Sequence, residues 1–261
     1  MRPNHVLRGW REGKQTVGAW LSVAASYSAE SMAHTGFDWL CIDTQHGLID
    51  YPDAVHMLQA ISTTHTIPFV RVPWNDPATI MKMLDAGAYG IVVPLVNNRE
   101  EAERAVAACR YPPAGIRSSG PARAAMYGGS GYQSWANDEI ACIVMIETAD
   151  GLDHLDDILS TPGVDAAYIG PADLAYALDL EPGTDDPKHA EAVRRIFDAA
   201  QRHGVAPGIH TGSAEDTTAY LRMGFQMVTL GSDSGFMRAK AAADLAAVRG
   251  DANVAAIEPE A

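Results

Sequence analysis

Cysteine is scarce in this sequence. There are three, Cys41, Cys109 and Cys142, and no CxxC spacing occurs among them. Cys41 and Cys142 lie inside apolar strand-like runs, and Cys109 closes a helical one. They read as buried free thiols in a reducing compartment, not as a disulfide framework. Long apolar runs are also missing, and none approaches the ~20 residues that span a bilayer. The opening residues lack the apolar core of a signal peptide, so the expected location is the cytoplasm. Clustered Lys/Arg is absent and the formal net charge is −14, which argues against nucleic acid as a partner. No P-loop is present. Gly128-Gly-Ser-Gly131 lacks the strand–turn–helix setting of a dinucleotide fingerprint. The only lysines are Lys14, Lys82, Lys188 and Lys240. All fall in or beside helical segments and none ends a strand, so Schiff-base chemistry is disfavoured.

What the sequence does have is alternation. After an opening helix, Val6 to Glu12, strand-like runs fall at Val17–Val23, Trp39–Ile42, Pro68–Pro73, Tyr89–Val96, Ile140–Ile146, Val164–Ile169, Val205–Ile209 and Phe225–Leu230. Helix-like segments separate most of them, at 28–36, 50–63, 76–87, 98–110, 151–159, 187–203, 214–223 and 235–249. Several carry start and stop signals, such as Pro77 at a first helical position and Gly87 at an end. Residues 111–137, rich in Gly, Pro, Ser and Arg, read as a long irregular loop. Eight strand–helix alternations in 261 residues point to an α/β fold, a single-domain (β/α)8 TIM barrel over residues 1–249, with 250–261 as a loose tail.

In such a barrel the carboxyl ends of the strands share one mouth, and chemistry collects there. Those ends supply Asp43, Gln45 and His46 after the second strand, Arg71 after the third and Glu147 after the fifth. Asp173 follows the sixth, His210 the seventh and Asp233 the eighth. The spacing of Asp43 and His46 suggests a carboxylate that orients an imidazole, although Asp43 could equally open a turn. Glu147 and Asp173, one βα unit apart, would repel each other unless a proton or a cation sits between them. An oxygen-preferring divalent ion fits and keeps positions open for water and substrate. The alternative is that Glu147 caps the next helix and Asp173 is a turn residue. Arg71 suits an anionic ligand or an oxygen that gains negative charge. His210 reads as more structural than catalytic. Arg117 and Arg123, in the long loop, could reach a substrate or a neighbouring subunit, and Trp20 and Trp74 could lie near the mouth.

The chain resembles the HpcH/HpaI family of metal-dependent pyruvate aldolases from Val17 to about Arg249. The stretches that carry the resemblance begin with Gly36-Phe-Asp-Trp-Leu-Cys-Ile-Asp-Thr-Gln-His-Gly47 and Val70-Arg-Val-Pro-Trp-Asn-Asp76. Leu84-Asp-Ala-Gly-Ala88, Ile91-Val-Val-Pro94, Met145-Ile-Glu-Thr148 and Tyr168-Ile-Gly-Pro-Ala-Asp-Leu174 complete them. The resemblance implies that Glu147 and Asp173 ligate Mg2+, Mn2+ or Co2+. It implies that backbone N–H groups around Gly170, Ala172 and Asp173 hold the carboxylate of pyruvate or a related 2-oxo acid. Arg71 would steady the enolate oxygen, and His46, oriented by Asp43, would move protons. It also implies a homohexamer, a trimer of dimers with exchanged last helices. Two departures bear on the substrate. Gln45 stands where family members often have Glu, and can only be a hydrogen-bonding helper. Met145 stands where some members have Gln.

The expected activity is a carbon–carbon lyase: retro-aldol cleavage of a 4-hydroxy-2-oxo acid to pyruvate, or hydroxypyruvate, and an aldehyde, together with the reverse addition. The alternatives are a related lyase or decarboxylase acting on oxaloacetate or an acyl-CoA ester, and a barrel that only binds a 2-oxo acid. An acyl-CoA would need a basic patch that the sequence lacks, and a pure binder would not need His46.

Overall fold

The computed structural model of the protein describes residues 3–252. Eight short runs, buried over most of their length, become strands, because a parallel strand covered on both faces has no side to show to water. They are β1 (Thr16–Leu21), β2 (Trp39–Asp43), β3 (Ile67–Arg71), β4 (Gly90–Val93), β5 (Ala141–Ile146), β6 (Ala166–Ile169), β7 (Ala206–Ile209) and β8 (Met227–Ser232). They pair in sequence order, all parallel, and β8 returns to β1, closing the barrel. The (β/α)8 barrel expected from the sequence is therefore the architecture found.

The helices run in chain order: α1 (His5–Arg11), α2 (Ser26–Ala33), α3 (Tyr51–Ile61), α4 (Pro77–Asp85), α5 (Arg99–Cys109), α6 (Ala124–Gly128) and α7 (Tyr132–Glu139). They continue with α8 (Ala149–Asp153), α9 (Leu155–Leu159), α10 (Pro171–Ala177), α11 (Pro187–His203), α12 (Ala214–Met223) and α13 (Asp233–Ala252).

Three boundaries differ from the sequence reading. The long loop folds into α6 and α7 over part of its length, and Arg117 explains its order. Arg117 is buried, donates to Asp85 at 2.8 Å, and lies over the rings of Tyr111 and Tyr132. Arg123 likewise donates to the Ala86 carbonyl and to Tyr127. Both arginines are thus bonded within the chain. The segment after β6 is α10, started by Pro171 at a first position that needs no N–H donor. Finally, α13 continues through Gly250 to Ala252, and residues 253–261 of the expected tail lie outside the described residues.

Two apolar layers hold the fold together. Outward residues of the strands, such as Leu40, Ile42, Val70 and Ile169, pack against the helices. Inward residues fill the barrel, with Trp20, Trp39, Phe69 and Tyr168 the largest that the strands supply. Glycine makes room for these rings, since a Cβ at Gly18 would stand 2.1 Å from the Trp39 ring. Helix α1 plugs the amino-terminal end, with Val6, Leu7 and Trp10 joining the inner layer and Trp10 5.8 Å from Phe69. The plug leaves the carboxyl-terminal end as the open one. No helix among the described residues is long and apolar enough to cross a membrane.

Candidate active site

A cavity of about 170 Å³ opens at the carboxyl-terminal mouth. Its wall includes Trp20, Arg71, Met145, Tyr168, His210, and the turn from Gly170 to Asp173. None of the four lysines is on it. Lys14 pairs with Glu12, Lys82 lies over Tyr51, Lys188 donates to the Leu178 carbonyl, and Lys240 pairs with Asp244.

Arg71, the last residue of β3, is placed opposite Asp43, the last residue of β2, by the strand register. Its Nε and Nη2 donate to the two Asp43 oxygens at 2.9 and 2.7 Å, a bidentate pair. Burial alone would raise the Asp43 carboxyl, but the hydrogen bonds and charge of Arg71 hold it below its usual value. The guanidinium also lies 4.3 Å from the centre of the Trp20 ring. Nη1 is left over, with only the Met145 sulfur, at 4.0 Å, as a partner among the described residues. That nitrogen is the one available to a ligand.

This register corrects the expected Asp43–His46 side-chain pair. Asp43 does reach the loop that follows it, but through backbone, accepting from the N–H groups of Gln45 at 3.1 Å and His46 at 3.3 Å. The carboxylate therefore fixes the arginine and the turn together. The His46 ring is exposed and has no side-chain partner among the described residues.

Glu147 follows β5 and is 3% exposed. It does not cap the next helix. Thr148 does so, accepting from the Gly151 N–H at 2.9 Å. One Glu147 oxygen accepts from the Leu95 N–H at 3.0 Å. Leu95 sits in the left-handed region, φ 54°, a conformation that costs a non-glycine residue about 1 kcal/mol. The other oxygen, Oε2, is buried with no hydrogen-bond partner among the described residues. Gly170 lies against it, and a Cβ there would come within 2.4 Å of Oε2, so a larger residue would displace the carboxylate from this position. Burial chiefly, with Asp173 adding to it, pushes the Glu147 carboxyl up to about 7, against the Leu95 N–H and Arg71. Asp173 itself is exposed, in the first turn of α10, where the N–H groups have no intrahelical acceptor.

A buried oxygen with no donor among the described residues, close enough to a second carboxylate to feel its charge, fits a cation better than a structural role. Among the described residues no three His, Cys, Asp or Glu side chains gather as a metal site, so the protein's share would be two carboxylates. That suits a hard divalent ion that keeps water or substrate oxygens.

His210 stands in the cavity wall, at the mouth where its place after the seventh strand put it. Its Nδ1 is 3.3 Å from the Tyr168 hydroxyl, and its ring meets Trp20 edge-on at 5.6 Å. Burial, with Arg71 nearby, lowers its pKa to about 4, against the opposing charge of Asp43. The Tyr168 hydroxyl also accepts from the Trp20 indole at 3.0 Å and bonds Thr229. These contacts join β1, β6, β7 and β8 across the barrel, so no local spacing announces them. Asp233, by contrast, is consumed structurally by Ser22, Val23 and Ser28. Trp74 is 61% exposed and outside the cavity wall.

Comparisons with known proteins agree with this geometry. The sequence pattern of the HpcH/HpaI aldolase/citrate lyase family matches residues 16–239. The hydroxypyruvate/pyruvate aldolase of Rhizorhabdus wittichii is 39% identical, over 91% of this chain and 96% of that protein. The 4-hydroxy-2-oxo-heptane-1,7-dioate aldolase of Klebsiella pneumoniae is 42% identical, over 91% of this chain and 90% of that one. In structure, an HpcH/HpaI aldolase/citrate lyase family protein of Burkholderia cenocepacia superposes with a TM-score of 0.90 and 34% identity, covering 94% of this chain and 99% of that one.

Proposed function

The chain belongs to the HpcH/HpaI aldolase/citrate lyase family, and we propose that it is a divalent-metal-dependent aldolase of 4-hydroxy-2-oxo acids. It releases pyruvate or hydroxypyruvate and an aldehyde, and it runs the reverse addition. The observation that carries this reading is the unpartnered, buried Oε2 of Glu147, set near Asp173 and Arg71. Glu147 and Asp173 are the residues that would hold the ion. Mg2+, Mn2+ or Co2+, when bound, supplies positive charge that acidifies the methyl group of a 2-oxo acid and offsets the charge on its oxygens.

The remaining work falls to the chain itself. The first-turn N–H groups at Ala172 and Asp173, with the backbone at Gly170, orient the substrate carboxylate. Arg71, held rigid by Asp43 and Trp20, aims Nη1 at the 2-oxo oxygen, where negative charge grows as the enolate forms. His46 moves the proton, taking it from C3 in the addition direction or from the 4-hydroxyl in cleavage. In addition, C3 of the enolate bonds to the aldehyde carbon, and the carbonyl electron pair goes to the oxygen that is then protonated. Gln45 assists by hydrogen bonding only. A position in the cytoplasm and a homohexamer, a trimer of dimers, complete the proposal. The exposed apolar Met237, Leu245 and Val248 on α13 support contact between copies.

The test is titration of metal-stripped protein with Mn2+, followed by electron paramagnetic resonance, beside an assay for pyruvate release from a 4-hydroxy-2-oxo acid. One tight site per chain, absent in Glu147→Gln, with activity that tracks its occupancy, is the expected result. Full pyruvate release from stripped protein in excess EDTA overturns the reading.

A further inference from the structure

Outside the cavity lies a second depression, a groove of about 360 Å³. Pro171, Ala172 and His210 line both, so the two form one path from the barrel mouth outward. The inner part holds Arg71 and Asp173, the groups suited to a 2-oxo acid. The outer part is lined by Thr184, His189, Thr211, Asp216 and Tyr220. Resting on the aldolase reading above, we propose that this groove receives the aldehyde half of the substrate, and that it takes a neutral, hydroxylated aldehyde in preference to an acidic one.

The charge of the lining is the first reason. It contains no Lys or Arg, and its one charged side chain is the Asp216 carboxylate. An aldehyde ending in carboxylate, sulfonate or phosphate would meet a like charge with no cation to answer it. The adjoining start of α12 offers no compensation. Ser213 already accepts from the Asp216 N–H at 3.0 Å, and Glu215 and Asp216 already fill the first turn with negative charge. Arg117 and Arg123, the other cations the sequence suggested for this task, are bonded to Asp85 and Tyr127 within the chain. Lys188 lies beside His189 in sequence but outside the groove lining.

The second reason is what the lining does offer. His210, between cavity and groove, has its Nδ1 against Tyr168 and its ring edge against Trp20. Its Nε2 has no protein partner among the described residues. With its pKa lowered to about 4 by burial and Arg71, the ring is neutral, one nitrogen a donor and the other an acceptor. A substrate hydroxyl can complement Nε2 whether that nitrogen is the donor or the acceptor, whereas a plain alkyl chain leaves it unpaired. The rim is also fixed in place, because the His189 Nε2 bonds the Pro171 carbonyl at 3.0 Å and ties α11 to the wall shared by both spaces.

The experiment measures addition of pyruvate by the Mn2+-loaded enzyme to three four-carbon aldehydes: erythrose, succinic semialdehyde and butanal, each corrected for its free-aldehyde fraction. The expected kcat/KM for erythrose exceeds both others by about tenfold or more. His210→Leu lowers the erythrose-to-butanal ratio by about tenfold, and Asp216→Lys raises the semialdehyde-to-erythrose ratio. Ratios within one preparation cancel any loss of folded or metal-loaded protein. A preference for succinic semialdehyde, or an unchanged ratio in His210→Leu, overturns the proposal. Pyruvate C3 proton exchange in the same samples separates two kinds of failure. Exchange with the wrong aldehyde preference overturns the groove assignment alone, and no exchange overturns the aldolase reading with it.

Discussion

Two buried glutamates bracket the same strand. Glu139 precedes β5 at the plugged end of the barrel, and Glu147 follows it at the open end. They are 4% and 3% exposed. Glu139 is fully answered: Arg8 donates to one oxygen and the Asn4 N–H to the other, at 2.6 Å. Among the described residues, Glu147 has one N–H on one oxygen and nothing on the other. Asn4 extends the contrast, since its amide also reaches the Tyr89 and Glu139 carbonyls while its own oxygen caps α1. A buried carboxylate with a complete set of donors is part of the scaffold. One left incomplete beside a second carboxylate stores an unmet electrostatic demand, which a ligand can satisfy.

The contrast can be broken from either side. The largest effect is expected from Glu147→Gln, which should reduce retro-aldol kcat by 10³-fold or more while circular dichroism and melting temperature stay at wild-type level or above. Next is Arg71→Lys. An ammonium cannot hold both Asp43 oxygens and still present Nη1, so kcat should fall by about 10²- to 10³-fold with little change in melting temperature. At the other end, Glu139→Gln should cost about 2–4 kcal/mol in urea unfolding, because Arg8 and the Asn4 N–H lose a charged acceptor, while the activity of the folded fraction persists. The smallest effect sharpens the comparison through pH. The Glu147 carboxyl is raised to about 7 in the folded, metal-free protein, from an ordinary value of 4.5. Its contribution to stability is therefore fully present below about pH 4.5 and lost as pH rises through about 7. The loss, up to about 3 kcal/mol, should be absent in Glu147→Gln and suppressed by Mn2+.

The sequence disclosed what depends on strand order. Buried runs that end abruptly in polar residues marked the mouth, and Arg71, Glu147 and Asp173 stood out because an apolar run stops at or just before each. What it withheld is mostly contact across the barrel. Spacing alone suggested His46 as the partner of Asp43, three residues away, but the register of β2 against β3 delivers Arg71 instead. His210 looked idle because Tyr168 and Trp20, its neighbours, lie far away in sequence. The helices α6 and α7 were hidden in a segment whose composition reads as loop, and their order comes from a buried arginine bonded to Asp85.

Pyruvate C3 proton exchange in D2O, followed by NMR, tests the central claim most directly, because it needs no aldehyde. Exchange is expected from the metal-loaded protein, with its loss on adding EDTA, its return with Mn2+, and its absence in Glu147→Gln. Exchange that continues at full rate in EDTA, or that survives in Glu147→Gln, would contradict the assignment of the incomplete carboxylate as the seat of the chemistry.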